Sequence, residues 1–398
     1  MIKTAIHLLI VNTHPIQYFA PLYRELAADT AFDVTVLYCS RHGLSGEVDR
    51  QFGTAVQWDI PLLDGYTHAF LSNQSPRPSI HGFWGLFNLS VIRWLWQAPK
   101  GVVIINGWAS ATCWLTILFG RLFGHTVCMR ADSSNVVEQQ KSPHRIQLRR
   151  WVLERGLFPM INYFLYIGQQ NRAFYQFFGV AQKKLIHGPF SVDNSRFQQQ
   201  YQLLKPQRMA LREAFGLSPD HFVIVFSGKY LPNKRPLDLL KAVHQLQRPN
   251  VAVVLVGEGS ARNELAAFVQ AHHMDHVLLT GFVNQSVIGQ YYAVADAYAM
   301  CSTIETWGLS TNEAMNFGLP VVLSDTIGCV ADLVQEGVNG YTYPCGDVGQ
   351  LADRLARLMD MPPCQRQAMG QASLTLINQY GYAKTVDSLK AALHPTRL

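Results

Sequence analysis

Short runs of apolar residues alternate with longer amphipathic segments along the whole chain. In the first half the runs that predict strands are AIHLLIV, FDVTVLYCS, GVVIING, HTVCMRA and NYFLYIG. A second series begins after residue 205 with HFVIVFSG, VAVVLVGEG, VLLTG, DAYAMCS, LPVVLS and GYTYP. Because strands that alternate with helices form parallel sheets covered by helices, this pattern predicts an α/β protein with two Rossmann-like halves.

A polar, glutamine-rich segment separates the two series and predicts the domain boundary. Its sequence is SRFQQQYQLLKPQRMALREAF, and it places the boundary near residues 200–208. We therefore expect a first domain over 1–203, a second over 204–375 and a C-terminal helix over 376–398. A chain of 398 residues with 48% hydrophobic and 15% charged content is long enough for two such cores.

Two apolar segments, at the N-terminus and at residues 101–120, resemble a signal peptide and a membrane span respectively. The first dozen residues are interpreted as a buried strand, since the apolar core is short and no small-residue cleavage site follows. Residues 101–120 carry no charge, but Asn106-Gly107 divides them, which favours a strand, a turn and a helix over a membrane span. Seven scattered cysteines without a Cys-x-x-Cys pair indicate a reducing compartment and argue against a zinc site.

Positive charge is concentrated in the first half of the chain. Residues 1–200 hold 18 Lys/Arg and 11 Asp/Glu, whereas residues 201–398 hold 15 and 16. No dense basic block with interleaved aromatics occurs, so we expect no nucleic-acid partner. The basic and apolar segment 141–158 is similar to an interfacial helix that rests on anionic lipid, although the same pattern suits a helix that covers a sheet. Both interpretations stay open.

The stretch CSTIETWGLSTNEAMNFGLPVVLSD at 301–325 carries the most specific chemistry. It predicts a turn with Glu305, a helix that opens after Gly308 and carries Glu313, and then a buried strand. A helix N-terminus presents free amides to an anion, and two flanking carboxylates can accept hydroxyl hydrogen bonds, as a sugar nucleotide requires. Two surface glutamates around an ordinary turn explain the spacing equally well. The amides in question are those of Leu309, Ser310 and Thr311.

This stretch resembles the signature of the family 4 retaining glycosyltransferases of the GT-B fold, part of the glycosyl transferases group 1. The matching residues are Glu305, Glu313, Ala314, Met315, Gly318, Pro320, Val321 and Val322. The resemblance implies two Rossmann-like domains that face each other across a cleft, the first for the acceptor and the second for a nucleotide-sugar donor. It also implies a C-terminal helix that crosses back to the first domain, Glu305 near the donor sugar and diphosphate, and Glu313 on the ribose hydroxyls.

A second motif, FSGKYLPNKRPLDLLKAV, places Lys229, Lys234 and Arg235 before a helix expected to start at Pro236. Cations are unfavourable at a helix N-terminus, so they indicate a bound anion, with a solvated basic loop as the alternative. The motif is similar to the family's Gly-Arg … Lys-Gly loop, which implies that Gly228 and the two lysines hold the donor diphosphate. Lys229 replaces the usual Arg and Arg235 the usual Gly. The resemblance also places Val283 at the nucleobase.

Three residues of the first half are candidates for the acceptor side. Thr13, His14 and Pro15 follow the first strand where relatives usually carry glycines, which leaves His14 as a candidate for contact with acceptor or donor. A structural histidine is the alternative. Arg130 and Asp132 end another strand at the same edge of the sheet. Asp132 could accept a proton or bind an acceptor hydroxyl, and a helix N-cap is the equally weighted alternative. We take His14 and Asp132 as catalytic candidates beside Lys229, Lys234 and Glu305.

The resemblance implies a retaining hexosyltransferase in cell-surface polysaccharide or glycolipid synthesis, located in the cytoplasm or on the inner face of the plasma membrane. Its co-substrate would be a UDP- or GDP-sugar, its acceptor a glycan or lipid-linked saccharide, and it would need no cofactor. No Asp-x-Asp motif occurs, so we expect no metal. Two alternatives are a nucleotide-sugar epimerase of the same fold and a non-catalytic sugar-nucleotide-binding or membrane-associated protein.

Overall fold

A computed structural model describes residues 5–44, 46, 48–49, 54–55 and 57–393. The described residues form two compact units. The first takes in the described parts of Met1–Glu47, Ile60–Phe190 and Tyr382–Leu398, and the second those of Val48–Asp59 and Ser191–Gly381. The domain ranges drawn from the sequence, with limits at 203/204 and 375/376, stay predictions.

The strands and helices follow the alternation expected from the sequence. The strands are β1 Ile6–Asn12, β2 Phe32–Tyr38, β3 Val48–Asp49, β4 Thr54–Ala55, β5 Thr67–Phe70, β6 Val102–Asn106, β7 Thr126–Arg130, β8 Tyr163–Tyr166, β9 Leu185–His187, β10 Phe222–Ser227, β11 Val251–Val256, β12 Val277–Leu279, β13 Ala297–Met300, β14 Val321–Ser324 and β15 Gly340–Tyr343. The α-helices are α1 Ala20–Ala28, α2 Ser90–Gln97, α3 Ala111–Leu122, α4 Asn135–Gln139, α5 Pro143–Arg150, α6 Gln169–Phe177, α7 Asn194–Leu204, α8 Arg208–Ala214, α9 Pro236–Leu246, α10 Arg262–Ala271, α11 Ile288–Val294, α12 Leu309–Asn316, α13 Val330–Leu333, α14 Val348–Asp360, α15 Pro363–Ile377 and α16 Tyr382–Leu393.

The first unit contains a parallel sheet of seven described strands in the order β5-β2-β1-β6-β7-β8-β9. The order reverses between β1 and β6, where Leu8 pairs with Val102. Helix α16 packs on this unit, since Lys390 forms an ion pair with Asp29 at 2.8 Å and the Tyr382 hydroxyl donates to the carbonyl of Tyr18. The first unit is therefore a doubly wound sheet whose ligand edge lies beyond the carboxyl ends of β1 and β6.

The second unit repeats this plan with six described strands in the order β12-β11-β10-β13-β14-β15. Every residue of β10 and β11 is buried, which explains why both strands are continuous apolar runs. The order reverses between β10 and β13, where Ile224 pairs with Ala297. The ligand edge of this unit is thus expected beside the residues that follow Ser227 and Met300.

Two elements differ from the sequence prediction. The helix expected from about Ile16 begins at Ala20, because a turn closed by the bond from the Phe19 amide to the Ile16 carbonyl precedes it. The single long helix expected near 145–159 is α5 followed by a π-helical segment, Trp151–Leu157, and a 3-10 turn, Phe158–Met160. Proline at 159 has no N–H to continue the regular pattern, which accounts for the irregular end.

Residues 101–120 form a strand, a turn and the start of a helix, as predicted. Strand β6 ends at Asn106, Gly107 has φ of 92°, and α3 is capped by Ser110, whose hydroxyl accepts from the Cys113 amide. Within the described residues, no helix is both long enough and apolar enough to span a bilayer.

Candidate active site

The two sequence motifs of the second unit follow the two strands that flank its switch point. Gly228 and Lys229 come directly after β10, and Glu305 follows β13 by five residues. Their loops are fastened together, since the Thr303 amide donates to the carbonyl of Asn233 at 2.8 Å. The predicted diphosphate loop and the predicted acidic loop therefore lie side by side at the edge where doubly wound sheets bind ligands.

Lys234 and Glu305 are in direct contact, although 71 positions separate them in the sequence. The Lys234 ammonium donates to Oε2 of Glu305, and both side chains are mostly buried. Burial, together with the neighbouring charge of Lys229, lowers the pKa of Lys234 to about 8. The Glu305 carboxylate favours the charged ammonium, so Lys234 is protonated at neutral pH. The site thus concentrates two cations and one carboxylate.

Arg235 occupies a position where the family that the sequence resembles usually has glycine. The backbone conformation at this position explains that preference. Its φ is 48° and its ψ 44°, the left-handed region that glycine adopts without strain. Its guanidinium forms an ion pair with Asp238 at 2.5 Å, in the first turn of α9. The charge of this cation is therefore offset within the protein, by a carboxylate three residues further along the chain.

Helix α12 begins at Leu309, as predicted, with Gly308 as its N-cap. Gly308 has φ of 101°, and a Cβ there would come within 3.2 Å of the Met300 sulfur. The first turn of α12 is fixed by a hydrogen bond between the hydroxyls of Ser310 and Tyr298, which are 2.7 Å apart. The helix therefore starts at a fixed point with the amides of Leu309 and Ser310 at its positive end. The prediction that the Thr311 amide is also free for an anion is wrong, because it donates to the carbonyl of Gly308 at 2.9 Å.

Glu313 lies in α12 and is buried, with only 1% of its surface exposed. The hydroxyl of Tyr292 donates to its Oε2 at 2.8 Å. Sequence reasoning did not identify Tyr292 or Tyr298, because nothing in the local pattern distinguishes a tyrosine that supports a site from a core residue. Both support the helix that carries the predicted ribose contact.

The glycines of VGEGS shape the predicted diphosphate loop. A Cβ on Gly257 would lie 1.9 Å from the carbonyl oxygen of Gly228, and one on Gly259 would lie 2.6 Å from that of Tyr230. The Gly257 amide donates to the carbonyl of Gly281 at 3.0 Å, two residues before Val283. Close backbone packing accounts for these glycines, and it also brings the loop with Val283 next to Gly228.

The acceptor-side candidates lie in the first unit. Arg130 and Asp132 line a cavity of about 210 Å³, together with Asn12, Thr13, Ile16, Tyr18, Phe19, Asn106, Gly107, Ala131, Ile167 and Phe190. The buried guanidinium of Arg130 lies over the rings of Phe19 and Phe190, 5.0 and 5.2 Å from their centroids. Asp132 is exposed and is not a helix cap, since Ser134 holds that position for α4.

His14 is half-buried beside this cavity but is not among its lining residues. Burial lowers its pKa to about 4, with smaller contributions from the nearby rings of His42 and His81. Its Nδ1 lies 2.9 Å from the hydroxyl of Thr13. His14 is therefore neutral at physiological pH and able to accept or donate one hydrogen bond.

Much of the positive charge of segment 141–158 is engaged within the protein. Lys141 and Arg149 both pair with Glu138, which is 2% exposed, at 2.5 and 2.7 Å. Arg150 pairs with Glu154 at 3.4 Å. Leu148 and Trp151 remain exposed. Contact of this segment with anionic lipid stays a prediction.

No group of three His, Cys, Asp or Glu side chains among the described residues is arranged to hold a metal ion. The groups at the candidate site that suit an anion are the ammonium groups of Lys229 and Lys234 and the first amides of α12.

Comparisons with known proteins agree with this geometry. Residues 207–374 match the family described as "Glycosyl transferases group 1". The chain is 31% identical over 191 residues to a D-inositol 3-phosphate glycosyltransferase of Mycolicibacterium smegmatis, covering 46% of this chain and 43% of that protein. It is 26% identical over 186 residues to the alpha-D-kanosaminyltransferase of Streptomyces kanamyceticus, covering 46% and 48%. The chain thus aligns with less than half the length of either relative.

A solved structure resembles the chain over nearly its whole length. HepE of Anabaena in complex with UDP and glucose superposes with a TM-score of 0.69 over 98% of this chain and all of that one, at 15% identity. At this identity the likeness is one of fold, and it confirms the predicted GT-B class. Residues 207–374 thus match the glycosyl transferases group 1, and the chain as a whole has the fold of the GT-B glycosyltransferases.

Proposed function

We propose that the chain is a retaining, metal-independent glycosyltransferase of family 4 that transfers a hexose from a UDP-sugar to an acceptor hydroxyl. The observation that supports this most directly is the meeting of Lys229, Lys234 and Glu305 beside the N-terminus of α12 at the switch point of the second unit. HepE, which shares the fold, was solved with UDP and glucose, which favours UDP over GDP.

In the proposed reaction, the bond from the anomeric carbon to the diphosphate oxygen breaks, and the acceptor oxygen bonds to that carbon on the same face. Negative charge grows on the departing diphosphate. Lys229, Lys234 and the amides near Ser310 are proposed to stabilise that charge, because fixed donors of this kind lower the barrier most. The acceptor proton leaves with the diphosphate or passes to a nearby base.

Glu313 and Val283 are proposed to fix the nucleoside, through the ribose hydroxyls and the base respectively. Glu305, in contact with Lys234, is proposed to orient the donor sugar. His14, Arg130 and Asp132 are proposed for the acceptor side, where neutral His14 and exposed Asp132 can each accept a hydroxyl hydrogen bond. The acceptor is proposed to be a glycan or lipid-linked saccharide at the inner face of the plasma membrane.

Thermal stabilisation by UDP-, GDP- and ADP-sugars tests the donor assignment, because a bound ligand raises apparent stability by mass action. The productive donor is then incubated with candidate acceptors in the presence of EDTA, and nucleoside diphosphate release and product anomer are measured. We expect UDP release that needs acceptor, persists with EDTA and retains configuration. Conversion of donor alone into a new sugar would establish the epimerase instead. Inversion, or activity lost with EDTA, would refute the mechanism.

A further inference from the structure

A long part of the first unit contains no acidic residue. Between Asp64 and Asp132, residues 65–131 hold no Asp or Glu, whereas Arg and Lys occur five times. One of the five, Arg130, is buried, and the other four are exposed. A surface built from this part of the chain therefore carries positive charge only.

Helix α3 places an apolar stripe on that surface. Trp114, Leu118 and Leu122 are spaced four residues apart, so they lie on one face of the helix and span about 12 Å along its axis. Trp114 is half-buried, and exposure increases along the stripe to 49% at Leu118 and 69% at Leu122. Leu118 and Leu122 therefore present apolar surface to solvent, whereas Trp114 also packs against the core of the first unit.

Exposed aromatic rings extend the stripe at both ends. Trp84, 65% exposed, packs edge-on against Phe83, which in turn contacts the ring of Trp114. Trp96, 70% exposed, packs at 5.1 Å against Phe123, directly after α3. Helices α2 and α3 are in contact, so these side chains form one continuous face.

Three cations lie along the same face, which we call the α2–α3 surface and define by Trp84, Trp96, Leu118, Leu122, Arg93, Lys100 and Arg121. Arg93 precedes Trp96 by one turn of α2. Arg121 precedes Leu122 and donates to the amide oxygen of Asn162, and Lys100 donates to the carbonyl of Phe123. The partners in both contacts are neutral, so neither contact offsets the charge.

We propose that the α2–α3 surface docks on an anionic phospholipid bilayer. Exposed tryptophan and leucine with interleaved arginine and lysine, and no acid, is the composition that binds the charged interface of a membrane. A second copy of the chain is a less suitable partner for this surface. In a symmetric dimer the cations of one copy would face the cations of the other, whereas the cores of protein interfaces are depleted of charge. This proposal is independent of the catalytic assignment and uses a different surface from segment 141–158.

The test is cosedimentation of the full chain with vesicles of equimolar phosphatidylglycerol and phosphatidylcholine, with vesicles of phosphatidylcholine alone as the comparison. The surface variant is Trp96→Ser with Leu122→Ser. The matched control is Leu148→Ser with Trp151→Ser, each 64% exposed, in segment 141–158. Thermal melts establish that both remain folded.

We expect binding to the anionic vesicles only, weakened by salt. Loss of the two apolar side chains is expected to reduce partitioning roughly tenfold or more, and the control to change it little. Replacing Arg93 and Arg121 by Gln is expected to reduce it about 25-fold, since one basic residue near such a membrane contributes a factor of about five.

Three results would overturn the proposal. These are absence of vesicle binding by the unaltered chain, loss of binding in the control variant with retention in the surface variant, and a dimer that dissociates only in the surface variant. Donor binding and turnover in detergent-free solution are measured on the same samples. If the chain transfers sugar but does not bind vesicles, only the docking proposal is refuted. If it binds vesicles but does not bind donor, only the proposed function is refuted.

Discussion

The lowered pKa of Lys234 predicts a pH dependence that an ordinary lysine would not give. The pKa of an ordinary lysine is 10.5, and burial beside Lys229 brings the pKa of Lys234 to about 8. The protonated form is therefore lost as the pH rises through 8. If this cation stabilises the departing diphosphate, kcat/KM should fall about tenfold per pH unit above that point, and roughly tenfold between pH 7 and pH 9.

The pH profile of kcat should differ from that of kcat/KM. A bound diphosphate favours the charged ammonium, so the limb in kcat is expected at higher pH than the limb in kcat/KM. Folding stability should change in the opposite direction. Between pH 8 and 10.5 the unfolded chain binds the Lys234 proton more tightly than the folded chain, so this group alone makes the protein more stable as the pH rises. The deprotonation of Lys234 therefore does not by itself unfold the protein over the range in which activity is expected to fall.

Variants of Lys234 test the assignment directly. Lys234→Arg keeps a cation that does not titrate, so the limb near pH 8 should disappear, although the plateau falls because the geometry changes. Lys234→Ala should lower kcat by about 10² to 10³, the usual cost of one lost charge-stabilising donor. Lys241→Ala, an exposed lysine on α9, is the control and should change neither quantity. A profile that is flat through pH 9, or a limb that persists in Lys234→Arg, would refute the reasoning.

Three further changes test other parts of the structure. Asp296→Ala should lower the free energy of unfolding by about 3–5 kcal/mol in urea denaturation, because it leaves Arg212, 4% exposed, without its carboxylate partner. A smaller loss than about 1 kcal/mol would show that this buried pair does not stabilise the unit. Glu313→Gln should weaken UDP binding by about tenfold in calorimetry, the loss expected for one charge-assisted hydrogen bond, with a smaller effect on kcat. Equal UDP affinity would argue against the ribose role. Gly308→Ala should cost about 1–2 kcal/mol of stability and also reduce kcat/KM, since its φ is 101° and its Cβ would press on the Met300 sulfur. Gly337→Ala, with φ of 74° and open space, is its control and should reduce stability alone.

The sequence predicted the elements that depend on nearby residues. The starts of α9 at Pro236 and of α12 after Gly308 were both predicted, because proline favours the first helical position and Gly308 introduces the break before the helix. The parallel strands were predicted because full burial on both faces requires continuous apolar runs. These features follow from backbone geometry and hydrophobic periodicity, which a single chain shows.

The α2–α3 surface could not be predicted from the sequence. The apolar run at 101–120 was correctly interpreted as a strand, a turn and a helix, and α3 is that helix. Nothing in the run separates Ile117, which is fully buried, from Leu118 and Leu122, which are exposed. Exposure depends on which neighbouring elements cover each face of the helix, and only the packed structure decides that.

The sequence by itself determined the α/β class, the two motifs and the residue types suited to an anion. Tertiary structure decided what those residues do to one another. It brought Lys234 against Glu305 from 71 positions away, and it buried Lys234 deeply enough to change its pKa. The physical reason is that contact, burial and electrostatic coupling depend on distances in space, and these are set only when strands from separate parts of the chain pair in one sheet.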